Sequence, residues 1–440
     1  MQLVILLQIL LIWLIVISVY NQLALRDGRA PIDDIGLWWL GAFLLYSTLP
    51  PLSWLIQGGS YGPLSGRLFK FQPTNQEVAY LLSISLAYVF GFTSVFHVLS
   101  KRVPNPVLVT QVPISNSKMV SAILIISFAF LIGILLVQVG LIRKAESYTD
   151  SYAVIYELPR SLAQLHKMLG VLTNFSTLVL VVAIFQSWPK FRILFLIHIL
   201  VIILSIDPEG GRGRIVTAFL AIVVAWHVLI RPITSRKFFI GAFLGLVIFL
   251  VFGILRSINS LSEVGVLGFE GIGVGEFDAL WANAIELLQA KKNGEININF
   301  QTRFGEIIFF IPSQLLWFEK LSLNDWYLNN FYPGLKETGN GWVFGAISQS
   351  VIGGGLIEAA IRGAILGLLA GWFMKWVRSP SKAWWRLPLH LMLLVGVFSS
   401  IRETTFIQFT SLIQVVLTAP VIISIIGLLI TTKNQFRNPL

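Results

Sequence analysis

The sequence contains no cysteine and little charge: Asp, Glu, Lys and Arg together make up 12% of its 440 residues. The first absence excludes disulfides, thiolate metal sites and cysteine nucleophiles. The second excludes an ordinary soluble domain, in which about a quarter of residues are charged. No internal repeat or low-complexity tract is visible, which argues against repeat-built transporter folds. No set of His, Asp and Glu has a metal-ligand spacing. The formal charge is +11, yet no basic run resembles a nucleic-acid patch, so nucleic acid is not an expected partner.

What the chain has instead is apolar surface. Hydrophobic residues make up 56% of it, and the mean hydropathy is +0.80. A bilayer core needs roughly 20 apolar residues per helix. Runs near that length fall at Leu3 to Tyr20, 35–56, 77–99, 118–141, 169–187, 192–206, 214–230, 237–255, 351–376, 384–400 and 405–431. These predict an all-α polytopic membrane protein, one transmembrane domain over 1–440 with about 11 spans (range about 10–12). The first run lacks a basic leader and a small-residue cleavage site, so it reads as a retained helix.

Loop charge predicts the orientation. Lys101, Arg102 and Lys118, then Lys190 and Arg192, then Arg231, Arg236 and Lys237, then Lys375, Arg378, Lys382 and Arg386, and finally Lys433 and Arg437 lie in alternate loops and the tail. Against them this set holds only Asp27, Asp33 and Asp34. By the positive-inside rule these loops are cytoplasmic, with the N-terminus outside and the C-terminus inside. The opposite loops carry most of the acid, including the largest, 257–342. A structureless loop of that length is unusual unless it is functional or partly folded. Within it, Phe277, Leu280, Trp281, Ala284 and Leu288 share a helical face and predict a short interfacial helix. The apolar stretch Phe304 to Phe318 is broken at Pro312, which predicts a re-entrant or surface-lying pair of half-helices.

Candidate chemistry collects on this outer face. The turn Asp207-Pro-Glu-Gly-Gly-Arg212-Gly-Arg214 joins two spans; its glycines allow close approach and its guanidiniums suit phosphate oxygens. A solvated turn is the plainer reading. Arg256, Arg303 and Arg402 sit at the edges of apolar runs, where single arginines commonly anchor helices at the interface. Glu358 and Arg362 lie at i,i+4 in an apolar run, acid first, which favours a structural ion pair over direct catalysis. Tyr148, Tyr152 and Tyr156 are spaced by four, as in an interfacial belt or a ridge that stacks on sugars.

The order of these features resembles the Wzy-type O-antigen and oligosaccharide repeat-unit polymerases, over about 205–405 of the chain. The family's Gly-Ser-Arg-Gly turn is similar to Gly210-Gly211-Arg212-Gly213, its next arginine to Arg256 and its late arginine to Arg402. Its Ile-Pro-Arg-x-x-Trp-Pro-x-Lys stretch is similar to Ile311-Pro312-Ser313, Trp317 and Lys320, with serine for the arginine; Ser348-Gln349 stands where the family has Gly-Glu. The resemblance implies a GT-C-like membrane glycosyltransferase at the outer face of the bacterial inner membrane. Such an enzyme transfers glycan from polyprenyl diphosphate to the end sugar of another lipid-linked repeat. Its partners would be the polyprenyl-diphosphate-linked oligosaccharide donor and acceptor and the lipid bilayer, with a chain-length regulator left open. It implies no cofactor and metal-independent chemistry. Arg212, Arg256 and Arg402, with Arg214 and Arg303, are then expected to hold the diphosphate. Trp317, Lys320, Tyr152 and Tyr156 are expected to bind substrate. Glu306 is the favoured general base, ahead of Glu276, Asp278 and Glu403. A ligase-like transferase, a lipid-linked oligosaccharide flippase and a structural assembly subunit are the competing expectations.

Overall fold

The computed structural model describes residues 1–60, 71–101, 212–245, 276–308, 322–333, 344–379, 386–401 and 405, with isolated positions between 175 and 196. At 212–218, 276, 301, 308 and 398–400 it describes the backbone alone. Among the described residues every regular element is helical: α1 (Gln2–Asp27), α2 (Ile35–Ile56), α3 (Asn75–Ser100), α4 (Arg212–Leu229), α5 (Glu276–Lys292), α6 (Phe300–Phe304) with a 3₁₀ turn (Gly305–Ile308), α7 (Leu323–Phe331), α8 (Ala346–Ile352), α9 (Leu356–Arg378) and α10 (Arg386–Ser400). The stretch 235–245 is also helical.

Of these, α1, α2, α3 and α9 are long and apolar enough to cross a membrane. They match the expected spans at Leu3 to Tyr20, 35–56, 77–99 and 351–376, with one correction. The last begins at Leu356, because Gly353, Gly354 and Gly355 break the run and split off α8. Gly355 has φ +60 and ψ −127, a conformation a side chain rarely tolerates. The stretches expected as spans at 214–230 and 384–400 are helical, as α4 and α10, and that at 237–255 is helical as far as 245; of α4 and α10 only shorter apolar helices are described. The spans 118–141 and, apart from 405, 405–431 lie outside the described residues; 169–187 and 192–206 are described only at isolated positions.

Local chemistry sets the helix ends. Asp34 caps α2 by accepting from the Gly36 and Leu37 amides. Thr74 and Glu77 form a reciprocal capping box on α3. Gly28, at φ 62, ends α1.

The most extensive helix pair among the described residues is α3 with α9. Its seam is made of small residues: Gly363 lies against the Tyr88 carbonyl, Gly367 against the Phe92 carbonyl, and Gly91 against the Ala360 carbonyl. A Cβ at any of them meets backbone, so close van der Waals packing of two backbones holds the pair, as lipid-embedded helices require. Helix α1 is fastened to α3 by Gln8, whose Nε2 donates to Ala79 O at 3.1 Å and to Ser83 Oγ at 2.9 Å.

Helix α2 contains Pro50 and Pro51. Pro50 has no N–H, so the Tyr46 carbonyl loses its i+4 donor. The Trp281 indole N–H of α5 donates to that carbonyl at 3.0 Å. Through this bond the central loop is docked into the bundle. Phe277, Leu280, Trp281, Ala284 and Leu288 do share a buried face of α5, but Ala282, Asn283, Ile285, Glu286 and Leu287 are buried as well. The expected interfacial helix is therefore corrected: α5 is enclosed by protein and packs on α2 and α8. A hydrophobic stripe marks which face is apolar, and tertiary packing decides whether the polar face is also covered.

Among the described residues the helix ends fall into two groups. The ends of α1, α3, α4 and α9 meet the starts of α2 and α10. At the far end, the starts of α3 and α9 meet α5, α6 and α8.

Candidate functional site

At that far end four charged side chains from three stretches converge. Arg303 lies in the last turn of α6, Glu306 in the following 3₁₀ turn, and Glu358 and Arg362 in the first two turns of α9. The Arg362 Nη1 donates to Glu306 Oε1 at 2.8 Å and its Nε to Glu358 Oε1 at 2.8 Å. Arg303 donates through Nη2 to Glu358 Oε2 and through Nη1 to the Gln349 carbonyl at 3.0 Å. Glu358 Oε2 also accepts from the Gly354 amide at 2.8 Å. Two guanidiniums and two carboxylates thus balance.

Gln349 of α8 is the neutral centre of this network. Its Oε1 accepts from Arg362 Nη1 at 3.0 Å, from the Thr405 amide at 3.1 Å and from Thr405 Oγ1 at 2.8 Å. Its Nε2 donates to Glu306 Oε2 at 2.8 Å. An amide supplies one acceptor and one donor group at a point where a carboxylate would face Glu306 and raise repulsion. Every residue of α8 is buried, so the amide cannot turn to water.

Depth divides the network. The Arg362 and Glu306 side chains are 7% and 2% exposed, while Arg303 and Glu358 are 13% and 20% exposed. Beside the outer pair, Lys291 Nζ donates to Val351 O at 2.7 Å and Gly353 O at 2.8 Å. Burial, then the neighbouring Arg303, lowers the pKa of this ammonium. Lys292 of the next position pairs with Glu77 at 2.6 Å.

The expected Glu358–Arg362 pair is present, with both Arg362 Nε and Nη2 2.8 Å from Glu358 Oε1. It sits in the opening turns of α9 rather than deep in a span, because the helix starts at Leu356. Arg303 and Glu306, expected to bind substrate and to act as base, come together here. Both Glu306 oxygens are engaged, by Arg362 and Gln349. Asp278 is fully buried in α5. Arg212, Arg214 and Glu276 are described as helical backbone only. Arg256, Arg402, Glu403, Trp317, Lys320, Tyr152 and Tyr156 lie outside the described residues. Sequence reasoning missed Lys291, Thr405 and the central role of Gln349. The last had a signal, a glutamine where the resembling family has an acid.

A second polar cluster lies at the opposite end. Arg378 donates to Asp27 at 3.1 and 2.8 Å and approaches Asp33 at 3.5 Å. Arg29 pairs with Asp33 at 2.9 Å, and Arg26 with Asp27 at 2.6 Å. His390 Nε2 meets the Asp33 carbonyl at 2.7 Å. His227 Nδ1 accepts from the Ile233 amide at 2.9 Å, which puts the proton of the neutral ring on Nε2, 3.8 Å from Asp33 Oδ1. Burial alone would push the Asp33 carboxyl up; Arg378 and Arg29 outweigh it and hold it below the usual carboxylate range. Asp34 is pushed up to about 6, by burial first and then by its acidic neighbours Asp33 and Asp27, against Arg378 and Arg26. Among the described residues neither cluster brings together three His, Asp or Glu fit to hold a metal ion.

Comparison with known proteins finds no family model, no curated protein and no solved structure that matches this chain.

Proposed function

We propose that this protein is a polymerase of lipid-linked oligosaccharide repeat units, with about 11 spans and a GT-C-like architecture, acting at the outer face of the bacterial inner membrane. The observation that carries the reading is the Arg303, Glu306, Glu358, Arg362 and Gln349 network. It is built by the central loop and the start of α9, at the end away from the basic loops. Transfer breaks the bond between the anomeric carbon and the diphosphate oxygen and joins that carbon to an acceptor hydroxyl. Negative charge builds on the leaving diphosphate, and fixed guanidiniums stabilise it. Arg303 is the partly exposed guanidinium of the network, and Arg212, Arg256 and Arg402 are assigned to the same task from the sequence. Glu306, with both oxygens committed, is assigned to holding Arg362; the hydroxyl proton passes to another carboxylate, for which Glu276 and Glu403 are the candidates.

Deleting the protein from its host and sizing the surface and lipid-linked glycan by gel tests this. The expected result is loss of the long ladder with survival of single-repeat species, and an unchanged ladder rejects the reading. Intact polymer stranded on its carrier would identify a ligase instead, and repeats trapped on the inner leaflet a flippase. In the same assay Arg212→Ala and Arg256→Ala should each lose about 10²- to 10³-fold in turnover.

A further inference from the structure

The donors around Glu358 form an anion site that is already filled. Its carboxylate accepts from Arg303 Nη2, from the Gly354 amide at 2.8 Å, and from Arg362 Nε at 2.8 Å. Two guanidiniums and a backbone amide converging on one group is the donor set of a phosphate site. Behind the amide, the first turn of the 23-residue α9 adds its own uncapped N–H groups, since Gly355 gives no side-chain cap.

Three features say that this carboxylate is exchangeable and its neighbour is not. Glu358 is 20% exposed, whereas Glu306, the other acid of the network, is 2% exposed. Glu358 borders a turn of three glycines, and Gly353 packs so tightly on Arg303 and Glu358 that a Cβ there has no room. The rim of the site is therefore bare backbone. Finally, surplus positive charge lies beside the shallower pair. Lys291 rests on the Val351 and Gly353 carbonyls of the same turn, so three cations, Arg303, Arg362 and Lys291, stand against two acids.

We infer that the Glu358 carboxylate is a resident counter-anion, displaced when the phosphate oxygens of a diphosphate ligand take its place between Arg303 and the Gly354 amide. This rests on the polymerase reading for the identity of the diphosphate as the lipid carrier's, but not for the site itself. Before binding, the pair keeps Arg303 folded onto α9 and neutral to passing anions. After exchange, Arg362 keeps Glu306 and Gln349 as partners, so the deep half of the network persists while the shallow half opens. Lys291 then lies beside the added charge.

The test is titration of inorganic pyrophosphate into the full-length protein in detergent at low ionic strength, by calorimetry. Glu358→Gln removes the competing charge and should tighten pyrophosphate binding about tenfold, one unit of pKa-scale free energy. The added Arg303→Gln should abolish that gain. Unchanged or weaker binding in a monodisperse Glu358→Gln protein overturns the inference, as does a gain that survives Arg303→Gln. If Glu358→Gln does not fold, Glu358→Asp keeps the charge but draws the carboxylate back from Arg303; it should tighten binding to a smaller degree, and no tightening overturns the proposal. The glycan ladder separates the two readings. A lost ladder with no tightening keeps the polymerase and discards the resident anion, whereas tightening with an intact ladder keeps the site and discards the polymerase.

Discussion

At one end of α9, Glu358 and Arg362 join Arg303 and Glu306; at the other, about 24 Å of helix away, Arg378 joins Asp27 and Asp33. At the first, two guanidiniums meet two carboxylates with Lys291 beside them; at the second, with Arg26, Arg29 and Asp34, three cations meet three acids. The two clusters differ in what reaches them. The side chains of Asp27 and Arg378 are 0% and 4% exposed, and their partners come from the joints of α1, α2, α4 and α10. That cluster is a clasp. The other grades from a sealed pair, Arg362 with Glu306, to an accessible one, Arg303 with Glu358. Breaking a buried pair leaves a stranded charge at high cost, and the cost falls as a pair becomes more exposed to solvent. The same residue types are therefore sealed at one end and partly exposed at the other.

The largest effect should come from the clasp. Arg378→Ala leaves three buried carboxylates against two cations, with Asp27 held only by Arg26 and Asp33 only by Arg29, and should cost about 3–5 kcal/mol, seen as a large drop in the thermal midpoint in detergent. Arg303→Ala should shift that midpoint little but lower polymer formation by about 10²- to 10³-fold; equal loss of stability in both variants would erase the contrast between the ends. Gln349→Glu sets a carboxylate where the amide donates to Glu306 and should cost about 1–3 kcal/mol, measured by the same melt, with Gln349→Met costing less because it adds no charge.

A last effect is one of pH, and at the clasp it can be isolated. Asp34 has a folded-state pKa of about 6, raised from 3.8. Between those values the folded protein binds a proton that the unfolded chain does not, so this group makes the protein more stable as pH falls from about 6 towards 4. Asp33 is shifted downward from 3.8, so its opposing loss of stability sets in as pH falls through that ordinary value and continues below it. Asp34→Asn, which keeps the α2 cap, should lack the Asp34 component. The difference between the two melting profiles isolates it from the histidines nearby.

Much of the site at the start of α9 was written locally. The i,i+4 spacing of Glu358 and Arg362 announces their pair, and the apolar stripe of α5 announces its buried face. Glu306 and Gln349 carried no local mark of their contact, because they are separated by α7 and the whole end of the central loop. The clasp had one signal: Asp27, Asp33 and Asp34 are the acids of otherwise basic loops. Which arginine they hold, Arg378 from the far side of the sequence, was not readable.

The sequence by itself determined that the chain is greasy, helical and charge-biased between alternate loops, since those properties follow from composition and periodicity, which are local. Only tertiary structure decided that Pro50 frees the Tyr46 carbonyl for Trp281, that Gly363 and Gly367 meet the α3 backbone, and that Gln349 lies between Glu306 and Arg362. Each is a pairing of groups far apart along the chain. Close packing and the need to satisfy every buried polar group select such partners by position in space, and one-dimensional spacing holds no record of it.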